Sequence, residues 1–207
     1  MQIGILGSGN IGGNAARLFA RAGHHVRIAN SRGPESLRAL VAEIGANAQA
    51  STPQDAVDAS DLVLIAVPWT KREETLGELE GWDGKIVIDA MNPYTEDFEI
   101  EDLGSKTSSE FTRALVPGGR VVKAFNTVFY KRLAAEGKPK GAKDRLAMPV
   151  ASDDASAKRI VMDLIDEIGF DPVDNGRLVD GGKQQPGSAV YNQPLGAAEV
   201  KELLARS

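Results

Sequence analysis

The chain has 207 residues, 42% hydrophobic and 26% charged, with Lys+Arg 24 against Asp+Glu 29 for a net charge of −5. A chain of this length buries a core without cross-links, and the acidic balance argues against a dedicated nucleic-acid binder, which carries a basic excess. Cysteine is absent and the two histidines are adjacent, His24 and His25, which excludes disulfide scaffolds, thiolate metal sites, cysteine nucleophiles and a three-histidine metal centre.

In chain order, Gln2–Leu6 reads as a strand that ends at glycine, and Asn10–Ala22 as a helix with Ile11, Ala15, Leu18, Phe19 and Ala22 at helical spacing. His25–Ala29 is a second strand, entered by the two histidines. Gly33-Pro34 opens a helix over Glu35–Ile44, proline being suited to a first turn. Ala46–Ala50 is a weak third strand and Pro53–Ala59 a short helix. Asp61–Val67 and Lys85–Asp89 are continuous apolar runs of the kind covered on both faces of a sheet.

Asn92–Lys106 is polar and reads as loop, Ser109–Val116 as helix and Arg120–Ala124 as a sixth strand. Tyr130–Asp144, with its GKPKGAKD stretch, reads as a basic surface loop, Arg145–Ala151 as a seventh strand, Asp153–Ile168 as a long amphipathic helix and Pro172–Asp174 as an edge strand. Asn175–Pro194 is read as loop and Leu195–Ala205 as a closing helix. Alternating strands and helices predict a Rossmann-type doubly wound α/β fold, a mainly parallel sheet with helices on both faces. The sheet takes residues 1–175. Residues 176–207 form a tail and helix, part of the same domain or a dimer contact. No apolar run approaches the ~20 residues of a membrane span, and MQIGILGSGN lacks the basic start of a secretory leader. The expectation is a cytoplasmic protein with no membrane partner.

The strongest motif is Gly7-Ser8-Gly9-Asn10-Ile11-Gly12, a G-x-G-x-x-G between the first strand and the first helix. Gly7 permits the turn, Gly9 lets backbone approach a pyrophosphate, and Gly12 packs helix on strand. The free N–H groups of the helix start then face the anion. The second strand ends in Asn30-Ser31-Arg32, where an NAD site would place a carboxylate on the ribose. Asn30 and Ser31 can hydrogen-bond a 2′-phosphate and Arg32 can pair with it, which predicts NADP(H).

Later strand ends carry Val67-Pro68-Trp69, Asn92-Pro93 and Lys123-Ala124-Phe125-Asn126-Thr127. Trp69 and Phe125 can wall a nicotinamide, and Asn126 and Thr127 can bond its carboxamide or a substrate. Asn92 and Asn126 serve equally to close turns, and Trp69 to cap the sheet. Together these stretches resemble the NADP oxidoreductases that use the deazaflavin coenzyme F420, over residues 1 to about 175. The tail Gln184–Tyr191 is similar to that of small bacterial NADP-binding reductases.

The resemblance implies NADP(H) across the strand ends, with Ser8, Asn10 and Ile11 at the pyrophosphate, Ser31 and Arg32 at the 2′-phosphate, and Ala124, Phe125 and Asn126 at the nicotinamide. It implies direct hydride exchange with a planar partner (deazaflavin, flavin or quinone) and no side-chain acid or base. A small carbonyl or imine reductase, or an NADP(H) sensor without catalysis, are the alternatives. Lys123 and Asp89 show no evident partner in the sequence. The cleft above the nicotinamide is to be covered by the tail, by the loop over Asn92–Lys106, or by a second subunit, so a homodimer is expected. Arg177, Lys183, Gln184 and Gln185 are candidate contacts for an anionic or planar substrate.

Overall fold

The computed structural model describes residues 1–206. Its centre is a six-stranded, wholly parallel sheet of β1 (Gln2–Leu6), β2 (His25–Ala29), β3 (Ala48–Ala50), β4 (Leu62–Ile65), β5 (Ile86–Asp89) and β6 (Arg120–Lys123), in the order β3-β2-β1-β4-β5-β6. The order reverses between β1 and β4. At such a switch point adjacent loops turn to opposite faces and leave a crevice outside the carboxyl ends of the strands.

Because successive side chains alternate across a strand, the sheet feeds two cores. Ile3, Ile5, Leu62, Leu64, Ile86, Ile88 and Val122 face one, covered by α1 (Asn10–Arg21), α2 (Arg38–Ile44), α6 (Tyr130–Ala135) and α7 (Ala155–Glu167). Leu6, Val63, Ile65, Val87 and Val121 face the other, under α3 (Pro53–Asp58), α4 (Arg72–Leu76) and α5 (Ser108–Leu115).

Three departures from the sequence reading bear on the site. The strands expected to extend the sheet, β7 (Ala147–Val150) and β8 (Asp171–Asp174), pair in parallel with each other. They meet β6 through an antiparallel bridge between Lys123 and Ala151 and through the Ser152 hydroxyl, which donates to the Val121 carbonyl at 2.7 Å. The short helix α6 occupies the start of the stretch read as a basic loop. Its Leu133 is buried on the first core, an anchor that the surrounding lysines hide from a periodicity reading. Within the stretch read as loop over 175–194, residues Leu178–Gln184 wind into a 3-10 helix whose Leu178 joins the second core. The chain ends in α8 (Ala197–Arg206), whose Val200 and Leu204 cluster with Val173 and Val190. Among the described residues no helix is long and apolar enough to cross a membrane.

Candidate functional site

The glycine loop joins β1 to α1 at the switch point. Gly7 holds φ 105°, and a Cβ there would lie 2.3 Å from the Ala66 carbonyl oxygen. At Gly12 a Cβ would fall 1.8 Å from the Gly7 oxygen. Both glycines are therefore required by the fold itself. Gly9 differs, since a Cβ would meet nothing within 4 Å. It is the exposed N-cap of α1, and the first turn of that helix carries no acidic residue. The N–H groups of Asn10, Ile11 and Gly12 precede any intrahelical acceptor, so the helix presents open space and uncompensated donors together. A dinucleotide pyrophosphate fits that cradle.

Beyond β2, the Asn30 side chain is already engaged. Its amide nitrogen donates to Ser8 Oγ and Ser36 Oγ, both at 3.0 Å, and its oxygen accepts from the Arg32 backbone N–H at 2.9 Å. Asn30 thus ties the second loop to the glycine loop and shapes the turn. Ser31 and Arg32 stand exposed on it, and the Arg32 guanidinium has no hydrogen bond or ion pair among the described residues. The nearest acid in sequence, Glu35, is occupied by Arg38 at 2.6 Å.

The aromatic rings read as nicotinamide walls lie in the cores instead. Trp69 is 2% exposed, stacks edge-on against Phe111, lies under the Arg72 guanidinium at 3.8 Å, and donates its indole N–H to Glu101. Phe125 is fully buried with its ring edge-on to Phe19 of α1. Its backbone sits at φ 65°, the left-handed region that bulky residues avoid. That turn sends the ring inward and leaves backbone at the strand end. What faces outward after β4 is the half-buried Val67 and the exposed Pro68.

At the ends of β5 and β6, Asp89 and Lys123 stand opposite each other in the register, both with fully buried side chains, Nζ to Oδ2 3.3 Å. They are each other's partners, a pairing that the sequence did not disclose. The Lys123 ammonium also donates to the Met91 carbonyl and to Ser108 Oγ (3.1 Å). Asp89 accepts from Ser109 Oγ (2.7 Å), Thr112 Oγ1 (3.1 Å) and the Met91 N–H (3.0 Å). Burial pushes the lysine below its usual range while Asp89 pulls it back up.

The tail covers these strand ends. Asn126, 4% exposed, donates its side-chain amide to Asn92 Oδ1 (3.1 Å) and to the Gln184 carbonyl at 2.7 Å. The fully buried Gln184 amide donates to Asn126 Oδ1 (3.0 Å) and the Pro149 carbonyl (3.0 Å), and accepts from Asn175 Nδ2 (2.7 Å). Ser108 N–H donates to Gln185 Oε1 at 2.8 Å. Asn92 Nδ2 also lies 2.9 Å from the Asn126 carbonyl and 3.4 Å from the Tyr191 hydroxyl, which is itself 3.3 Å from that of Tyr94. Gln184 and Gln185 are therefore fasteners of the tail. Arg177 and Lys183 pair with Asp153 and Asp180. The open cleft that prompted a second subunit is overlain by this chain's own tail. His24 is buried between the N-terminal amine (3.1 Å) and Glu167 of α7 (2.9 Å), far along β2 from the strand ends.

A parallel sheet in this order, a glycine turn opening onto a helix N-terminus, and loops gathered at the strand ends define a dinucleotide-binding fold of the Rossmann type. Residues 2–93 match the family described as NADP oxidoreductase, coenzyme F420-dependent. A hypothetical protein from Sinorhizobium meliloti of known structure is 36% identical, with a TM-score of 0.85 over 93% of this chain and 94% of that one. Metalloreductase STEAP3 of Rattus norvegicus is 29% identical over 177 residues, 86% of this chain and 34% of that protein. The chain thus spans about a third of the length of the curated relatives it first matches. A structure from Arthrobacter sp. FB24, named as a candidate F420-dependent NADP-reductase, shares the fold at 24% identity, TM-score 0.77, over 95% of this chain and 99% of that one.

Proposed function

We propose that this protein binds NADP(H) across the carboxyl ends of β1, β2 and β4 and passes hydride between the nicotinamide and a planar redox partner, a deazaflavin, flavin or quinone. The observation that carries the cofactor choice is the exposed, unpaired Arg32 on an acid-free turn that Asn30 pins to the glycine loop. An adenosine 2′-phosphate there gains a charge-assisted contact that a plain ribose lacks. Gly9 and the first N–H groups of α1 take the pyrophosphate. Val67 and Pro68 offer the apolar surface on the nicotinamide side, with the Ala124 and Phe125 backbone beyond it. NADP(H) supplies the hydride and needs from the protein mainly orientation and exclusion of water.

The sealed Asp89–Lys123 pair removes two of the groups that a carbonyl or imine substrate would need as proton donor. These two ionisable groups at the β5 and β6 ends are fully buried, whereas carbonyl reduction asks for a proton donor within reach of the substrate. The test is Arg32→Glu, titrated calorimetrically with NADPH and NADH. A charged hydrogen bond contributes about 1.5–3 kcal/mol, so NADPH affinity is expected to fall by roughly one to two powers of ten while NADH affinity holds. Unchanged NADPH affinity overturns the cofactor reading. NADPH oxidation with FMN, coenzyme F420 and menadione tests the second half. Tight binding with no turnover on any of them would make the protein a sensor.

A further inference from the structure

Two phenols converge where the tail crosses the end of β5. Tyr94 follows the strand end, and Tyr191 is held on the tail by its N–H to the Ser188 carbonyl (3.1 Å) and by the next residue's N–H to the Thr127 carbonyl (2.8 Å). Both side chains are half-buried, their oxygens 3.3 Å apart, and Asn92 Nδ2 is 3.4 Å from the Tyr191 oxygen. Both contacts are long beside the 2.7–2.8 Å of a well-made O–H···O bond and the 2.9–3.0 Å of an N–H···O one. The pair has two hydroxyl protons and one mutual contact, so one proton has no acceptor among the described residues. The Tyr191 oxygen already faces two donors, Asn92 and Tyr94, and the group it has left to offer is its proton. In a sheet of this order the adenosine lies over β2 and the nicotinamide toward β4 and β5, which puts this proton on the reactive side.

Resting on the hydride-transfer reading above, we propose that Tyr191, braced by Tyr94 and Asn92, donates a hydrogen bond to a ring carbonyl of the acceptor. The site then takes planar acceptors whose carbonyl is conjugated to the atom that receives hydride. In the step, the C4–H bond of the reduced nicotinamide breaks and the hydrogen leaves with its electron pair. A bond from that hydrogen to the acceptor forms, the nicotinamide is oxidised and the acceptor reduced. Negative charge gathers on the conjugated carbonyl oxygen, where a fixed donor is worth most, and the neutralising proton comes from water. Burial pushes the Tyr191 phenol above the ordinary tyrosine value. It therefore stays protonated and serves as a donor, not as the acid that gives its proton up.

The experiment compares wild type and Tyr191→Phe with FMN, which carries ring carbonyls, and methylene blue, a planar acceptor without one, each corrected for direct reaction with NADPH. The variant is expected to reduce FMN at least tenfold more slowly, to reduce methylene blue within twofold of wild type, and to bind NADPH unchanged. Raman spectra of FMN bound beside NADP+ give a readout apart from turnover. A carbonyl stretch lowered in wild type and restored in the variant is expected. Equal slowing with both acceptors, or a wild-type stretch identical to that of free FMN, overturns the role of Tyr191. Wild-type protein that binds NADPH but reduces neither acceptor overturns the hydride-transfer reading beneath it.

Discussion

Lys123→Met keeps most of the lysine stem, which lies 3.4 Å from where a Cβ on Gly181 would sit, and removes only the ammonium. Asp89 is then a carboxylate with no exposure and no counter-charge. Breaking a buried pair in this way costs about 3–5 kcal/mol. The remaining donors, Ser109, Thr112 and the Met91 N–H, favour the lower end, about 3 kcal/mol, or a fall in Tm of about 6–12 °C for a domain of this size. Asp89→Asn should cost less. Burial already draws the lysine down, so Lys123 can shed its proton and sit neutral between the Met91 carbonyl and Ser108. Replacing both, as Lys123→Met with Asp89→Asn, removes both charges and their desolvation penalties, and the loss should fall well short of the sum of the single losses. Urea denaturation followed by circular dichroism measures all three, read from the midpoint at unchanged slope. A Lys123→Met protein within about 0.5 kcal/mol of wild type, the scatter of an ordinary surface substitution, would refute the argument, as would strict additivity in the double variant.

Two further outcomes follow from the same geometry. Gly9→Ala adds a methyl that meets no protein atom, at φ −74°. Stability should hold within about 1 kcal/mol while NADPH affinity, by calorimetry, drops tenfold or more. Gly12→Ala drives its methyl onto the Gly7 carbonyl and should show the reverse order of damage, a large loss in thermal melting before any binding question arises. Asp154 caps α7 through the Ser156 and Ala157 N–H groups and is gripped by Arg120 at 2.7 and 3.0 Å. Arg120 above all holds its carboxyl well below the usual carboxylate range. A folded pKa beneath the unfolded value of about 3.9 means that its contribution is complete above about pH 5 and fades as pH falls below about 4. Asp154→Ala should therefore be about 1–2 kcal/mol less stable near neutrality, with the gap narrowing in acid. A gap constant from pH 7 to 2.5 would contradict this.

The legible parts of this fold are those written locally. The run from Gln2 through the glycine loop into α1 announces strand, turn and helix within twenty-odd residues, and DLVLIAV and KIVID announce buried strands by composition alone. Ring orientation was not legible. Whether Phe125 points at a ligand or at Phe19 depends on a left-handed backbone step that nothing in KAFNT specifies. The Asp89–Lys123 pair was hidden by 34 residues of separation. A signal was present, since two apolar strands each ended in a charge of opposite sign, but only the parallel register sets them side by side. The roles of Gln184 and Tyr191 likewise depend on where a glycine-rich tail returns across the sheet, a long-range event without local periodicity. The short helix α6 was masked because one buried leucine among lysines leaves no stripe to read.

The manner in which the tail is fastened sets how the two ends of the site answer to ionic strength. From Asn175 through Gln184 and Asn126 to Asn92 every link is an uncharged amide, three of the four side chains buried, so mobile counter-ions leave this chain of bonds untouched and screen only the tail's outer pairs, Arg177–Asp153 and Lys183–Asp180. Arg32 stands in open solvent, where the Debye length shrinks to about 3 Å at molar salt. Brine should weaken the protein's hold on a phosphate at one end of the crevice while the covering at the other stays shut.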